Sequence, residues 1–207
     1  MAWGFFFNME QLSLTIAEKH IKNMTDDNYF DDIFLEPEKL LVNLENGFVA
    51  LTQLSCYFES FLNTIINSCM HYDGDVLLKC SIEEKLEIIF MHYNKNFTDI
   101  KSLHCWELYR TATSVRNEMI HFKKTYIGDG TGLPNFKLGK ARIADYFTKT
   151  SITETYNGYI SLCQTIAQTL GLNIFEQIDI FACDGRDGLT NYVYDKTNTN
   201  IDESRFE

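Results

Sequence analysis

The sequence predicts an all-α protein, a bundle of about five helices with a long central helix and a weakly structured C-terminal tail. Three observations predict it. Apolar residues recur three and four positions apart through long stretches, the spacing of one helix face. Two S-x-x-E pairs, Ser81 with Glu84 and Ser151 with Glu154, read as capping boxes at helix starts. Only two Pro and 11 Gly interrupt 207 residues, too few for a fibrous or low-complexity chain.

Residues Met9 to Met24 form the first helix, with Leu12, Ile16, Ala17 and Ile21 towards the core. Its start is expected to reach back through Phe5–Phe7, a cluster too apolar to be left exposed. An acidic connection follows, TDDNYFDDIFLEPE. Its Asp26, Asp27, Asp31 and Asp32 lack the spacing and glycine of a calcium loop, so a solvated loop is expected. Pro37 suits a first helical turn, and Glu36 and Glu38 suit the positive end of the helix dipole. From there the long helix runs to about Met70. Its buried stripe is Leu40, Leu41, Leu44, Phe48, Leu51, Ser55, Phe58, Leu62, Ile65 and Cys69, and Gly47 allows a bend or a close helix approach.

HYDGD ends the long helix. Ser81 then opens a helix whose stripe is Ile82, Leu86, Ile89, Phe90 and Tyr93. NKNFTD leads, with Thr98 or Asp99 as cap, into a helix over 102–122. After Lys124 the GDGTG run reads as a flexible turn, since it lacks the Lys-Ser/Thr of a phosphate-binding loop. Ser151 starts the last helix, through Tyr159, Leu162, Ile166 and Leu170, and Gly171 stops it. Beyond Leu172 the pattern weakens: FACDGRDG reads as a turn and NTNIDESRFE as an acidic tail. The expected organisation is a helical domain over 1–171 and a partly irregular extension over 172–207.

Composition bounds the function. A hydrophobic content of 45% with 14% aromatics is that of a globular chain. No apolar run approaches the roughly 20 residues of a membrane span, and the opening MAWGFFFNMEQ lacks a signal peptide's basic region, so a cytoplasmic protein without membrane contact is expected. The six cysteines form no C-x2-C pair and read as structural thiols. Cys69, His71, His92, His104 and Cys105 match no standard zinc spacing, so no metal and no cofactor is expected. A net charge of −11 opposes generic nucleic-acid binding. Lys101 to Arg142 departs from it, with eight Lys or Arg against three acids, a surplus of +5 that leaves −16 for the rest. Such a segment suits a localised phosphate site, unless nearby acids neutralise it in the fold.

That segment contains SLHCWELYRTATSVRNEMIHF, Ser102 to Phe122. Leu108, Ala112, Val115, Met119 and Phe122 form its core stripe. Trp106, Arg110, Thr113, Asn117 and His121 fall together on the opposite side, with Arg116 at its edge. A merely solvated face would carry Lys and Glu. His changes charge near neutral pH and can move a proton, and Arg offers a fork of donors that fits phosphate. Asn117, four residues before His121, can orient the ring or hold a phosphate oxygen. Proton transfer with phosphate-charge stabilisation is what cleavage of RNA by its own 2′-hydroxyl requires. One Arg and one His is a thin set, which a second copy across a two-fold axis would complete.

The stretch VRNEMIHF resembles the R-x4-6-H signature of the HEPN superfamily (higher eukaryotes and prokaryotes nucleotide-binding). YFESFLNTIIN, Tyr57 to Asn67, resembles the family helix that carries a Glu before an apolar pair and an Asn, and SIEEKLEIIF resembles the intervening helix. The resemblance covers roughly 38–171. It implies a helical bundle, a homodimer and metal-independent endoribonuclease activity in anti-phage defence, abortive infection or toxin–antitoxin systems. An antitoxin such as a nucleotidyltransferase is then a candidate partner. Arg116 and His121 would be the catalytic pair, Asn117 the polar companion, and Glu59 and Arg110 would support them, with Lys123 and Lys124 meeting the RNA. From the residues alone, Glu59 reads as a surface acid or a partner for a lysine.

Two other readings remain. One is a non-catalytic HEPN-like module that binds nucleotide, RNA or a protein partner through the same face. The other is a dimerisation domain in which Trp106, Arg110 and His121 only pack. What separates them is whether Arg116 and His121 line open space or are buried.

Overall fold

A computed structural model describes residues 3–7, 9–26, 37–70, 75–121, 137–172, 180–184 and 192–193. The chain is an all-α bundle organised on α2 (Pro37–Thr64), which continues as a π-helical turn over Ile65–Cys69. Asn43, Gly47, Ala50, Leu54, Tyr57, Phe61 and Ile65 are buried along it at spacings of three and four. The expected stripe is rotated from this line: Leu51, Phe58 and Leu62 are buried, but Leu41 is 53% exposed. Past residue 50 several helices cover α2, so its buried face widens to take both lines.

α1 (Met9–Lys22) runs antiparallel to α2. Thr64 donates to Glu10 at 2.6 Å, His20 meets Asn46 at 2.8 Å, and Thr25 N–H donates to Asn43 Oδ1 at 3.1 Å. Ser13, Ala17 and Ile21 face inward, while Leu12 is exposed. Asn43 is buried and its amide donates to the carbonyls of Thr25 and Phe147, so the polar group that would be costly in the core joins three segments. At Gly47 a Cβ would stand 2.6 Å from the Phe147 ring, the close approach expected there.

A short α3 (Asp75–Leu78) precedes α4 (Ile82–His92), whose Ser81–Glu84 capping box is formed. The next helix starts later than expected. Thr98–Lys101 is a separate turn, α5, and α6 spans His104–Ile120 after a break at Leu103. The last helix starts earlier. Thr148 caps α8 (Lys149–Leu170) by accepting from Ser151 N–H at 3.2 Å, so Ser151 lies within the first turn and is not the cap. Gly171 ends α8 in the left-handed region, φ 71°. Phe58, Tyr109 and Tyr159 meet at the centre with ring centroids 5.0–6.0 Å apart, locking α2, α6 and α8 together.

Two small sheets accompany the bundle. Phe5–Phe7 do not extend α1: Trp3–Phe7 form β1, which pairs antiparallel with β4 (Ile180–Asp184), and β4 pairs with β5 (Tyr192–Val193). Phe181–Asp184 are therefore strand rather than turn, and the C-terminal extension returns to the first residues of the chain. Between α6 and α8, β2 (Lys137–Leu138) and β3 (Ala141–Arg142) form a hairpin, followed by α7 (Ile143–Tyr146). Residues 27–36 of the acidic connection, the GDGTG run and the tail NTNIDESRFE lie outside the described residues. Among the described residues no helix is long and apolar enough to cross a membrane.

Candidate functional site

α6 sends its functional side chains to two different places. Tyr109, Thr113 and Arg116 line up on the side of α6 turned to α2. There Ser55, Cys56, Glu59, Tyr109, Thr113 and Arg116, floored by Phe58 and Ile82, enclose a cavity of about 90 Å³. That is room for about three waters or one small polar group. The Arg116 Nε atom is buried and has no hydrogen-bond partner among the described residues, and its Nη1 donates to Asn117 Oδ1 at 3.1 Å. Behind the cavity lies Tyr159, fully buried. Burial pushes its phenol up, and the nearby Ser55 and Thr113 hydroxyls offset part of this.

The electrostatics are mixed. Burial raises the Tyr109 phenol, Thr113 and Arg116 draw it back, and Glu83 and Glu59 push it further up. Glu59 is half exposed, and its carboxylate takes the ammonium of Lys85 at 2.8 Å. Lys85 itself has no exposed side chain and also donates to Asn63 Oδ1 at 3.0 Å. The cavity thus offers a guanidinium and several hydroxyls, with its one lining carboxylate already neutralised from below.

His121 lies elsewhere. It is the C-cap of α6, exposed, with its backbone N–H on Asn117 O at 3.0 Å. Five residues separate it from Arg116, which puts the two side chains about 140° apart around the axis. The Asn117 amide oxygen holds Arg116, so its connection to His121 is through the backbone. Arg110 and Asn117 are exposed as expected, but Trp106 is not on the open face. It is buried because Phe97, from the preceding turn, packs edge-on against its ring at 5.3 Å, and Tyr109 takes the other side. Phe122, Lys123 and Lys124 lie outside the described residues.

Sequence reading missed Lys85 and the cavity. The signal for Lys85 was its place on an apolar stripe, three residues after Ile82 and four before Ile89. The cavity had none, since it exists only where α2, α4 and α6 converge. The basic segment is partly neutralised: Lys101 pairs with Glu87 and Arg142 with Asp145, whereas Arg110, Lys137 and Lys140 make no ion pair among the described residues. Cys56, Cys69, Cys80, Cys105 and Cys163 are free thiols. No known protein family, no curated protein and no solved structure matches the chain.

Proposed function

We propose that the protein is a dimeric, metal-independent endoribonuclease of HEPN type, in which Arg116 of one protomer works with His121 of its partner. The observation that carries this reading is the divergence of the two side chains from one helix. Arg116 lines a cavity and His121 faces solvent, so both have access to substrate, but a single chain does not bring them together. A two-fold contact near the end of α6 would. Ile120, 47% exposed beside His121, is an apolar side chain suited to such a contact.

In this mechanism the imidazole takes the proton of a ribose 2′-hydroxyl, and the 2′-oxygen attacks the adjacent phosphorus. The guanidinium stabilises charge developing on the phosphoryl oxygens. The bond to the 5′-oxygen breaks, that oxygen gains a proton from water, and the products are a 2′,3′-cyclic phosphate and a 5′-hydroxyl. Asn117 holds the Arg116 side chain. A place in bacterial anti-phage defence or a toxin–antitoxin pair, with an antitoxin such as a nucleotidyltransferase, follows from the resemblance of VRNEMIHF.

The second reading, a module that binds nucleotide or RNA without turnover, is favoured by the pairing of Glu59 with Lys85, which leaves that acid committed to the fold. Incubating RNA with the protein and its His121→Ala variant in excess EDTA separates the two. Cleavage by the unmodified protein alone supports the enzyme, and binding without cleavage supports the module.

A further inference from the structure

The β2–β3 hairpin packs on α6 through β2 and through the turn that follows it. Gly139, φ 55°, sits so close to Ser114 that a Cβ would stand 2.7 Å from the Ser114 carbonyl oxygen. Leu138 is buried beside it, while Lys137, Lys140 and Arg142 point outward, the alternation of a strand with one covered face. On α6, Ser114 lies in line with Arg110, Asn117 and His121, which are four residues before it and three and seven after it. The docking of one glycine therefore sets the hairpin lysines alongside the exposed strip that ends at His121.

Three of these cations, Arg110, Lys137 and Lys140, make no ion pair among the described residues, in a protein of net charge −11. Two exposed acids, Glu107 and Glu118, stand on α6 within about 40° of Ser114, at the edge of the strip where the hairpin docks. Among the described residues Ile120, beside His121, is the one exposed large apolar side chain near these groups, where a membrane surface would require several. We propose that Arg110, Lys137 and Lys140 form a track for the phosphate backbone of RNA, leading it along α6 to His121. The substrate class rests on the ribonuclease reading, and the track itself on the Gly139–Ser114 contact.

The test is fluorescence anisotropy with a labelled 2′-O-methyl RNA, which binds but has no 2′-hydroxyl to attack, titrated at several salt concentrations. For single strands each phosphate contact contributes about 0.7 to the slope of log affinity against log salt, so Lys137→Ala/Lys140→Ala should make it shallower by about 1.4. Gly139→Ala, which keeps every charge but displaces the hairpin, should also weaken binding. An unchanged slope in the double variant overturns the track, as does binding to phosphatidylserine vesicles but not to the RNA. Cleavage of ordinary RNA is scored separately. A protein that binds through the lysines and never cuts keeps the track and loses the ribonuclease. One that cuts with an unaltered slope in the double variant does the reverse.

Discussion

Lys85 has no exposed side chain, yet its ammonium lies 2.8 Å from the half-exposed carboxylate of Glu59. α4 is thereby tied to α2 directly under the Arg116 cavity. A buried ammonium is tolerated only while its partners hold it, and removing one leaves an uncompensated charge. Glu59→Ala should therefore destabilise the protein by about 3 kcal/mol, at the low end for a buried pair because water reaches Glu59. Lys85→Met should cost no more than about 1 kcal/mol, since it fills the same space and leaves Glu59 to solvent. Urea unfolding of both variants checks the order. Equal losses would mean that the pair is not what stabilises this contact.

Gly139 and Gly171 both have positive φ, 55° and 71°, but only Gly139 is crowded, with Ser114 against it. Gly171→Ala should cost about 1 kcal/mol of left-handed strain. Gly139→Ala adds a clash with helix backbone and should lower the melting temperature at least twice as far. Thermal unfolding followed by circular dichroism reads both, and equal shifts would contradict the docking of the hairpin on α6.

Glu10 gives a pH dependence. Burial raises its carboxyl above the usual value, and the Thr64 hydrogen bond offsets part of the rise. A folded-state pKa above the unfolded one means the native state binds more protons between the two. This group's contribution to stability is therefore greatest below about pH 4.5 and falls as pH rises through the raised value. Glu10→Gln keeps the acceptor for Thr64 and removes the ionisation. It should be more stable than the unmodified protein at pH 7 and equal to it near pH 4. Denaturation midpoints across that range decide, and parallel curves would contradict the burial of Glu10.

The helices were legible because their signals are local. Ser81 and Glu84 form the box that their spacing predicts, Gly171 stops α8, and α2 runs from Pro37 as expected. What escaped depends on partners distant in the chain or on neighbouring turns. Trp106 falls on the open side of its own helix and is buried by Phe97. Phe5–Phe7 needed β4, from the far end of the sequence, to become a strand. Ser151 matched a box, but Thr148 caps three residues earlier. Within the candidate site, the exposure of His121 and Asn117 followed from helical phase. The cavity that Arg116 enters did not, because Ser55, Cys56 and Glu59 are supplied by α2.

The proposed ribonuclease site is metal-independent and shared between two protomers. It is tested most directly by incubating RNA in excess EDTA with the unmodified protein, with Arg116→Ala, with His121→Ala, and with the two variants mixed and allowed to exchange subunits. The expected result is cleavage to 2′,3′-cyclic phosphate ends by the unmodified protein and none by either variant. The mixture should recover about a quarter of the activity, since half its dimers are mixed and each of those keeps one intact site of two. A mixture as inactive as its components, a variant that still cuts, or an unmodified protein that does not cut would contradict it.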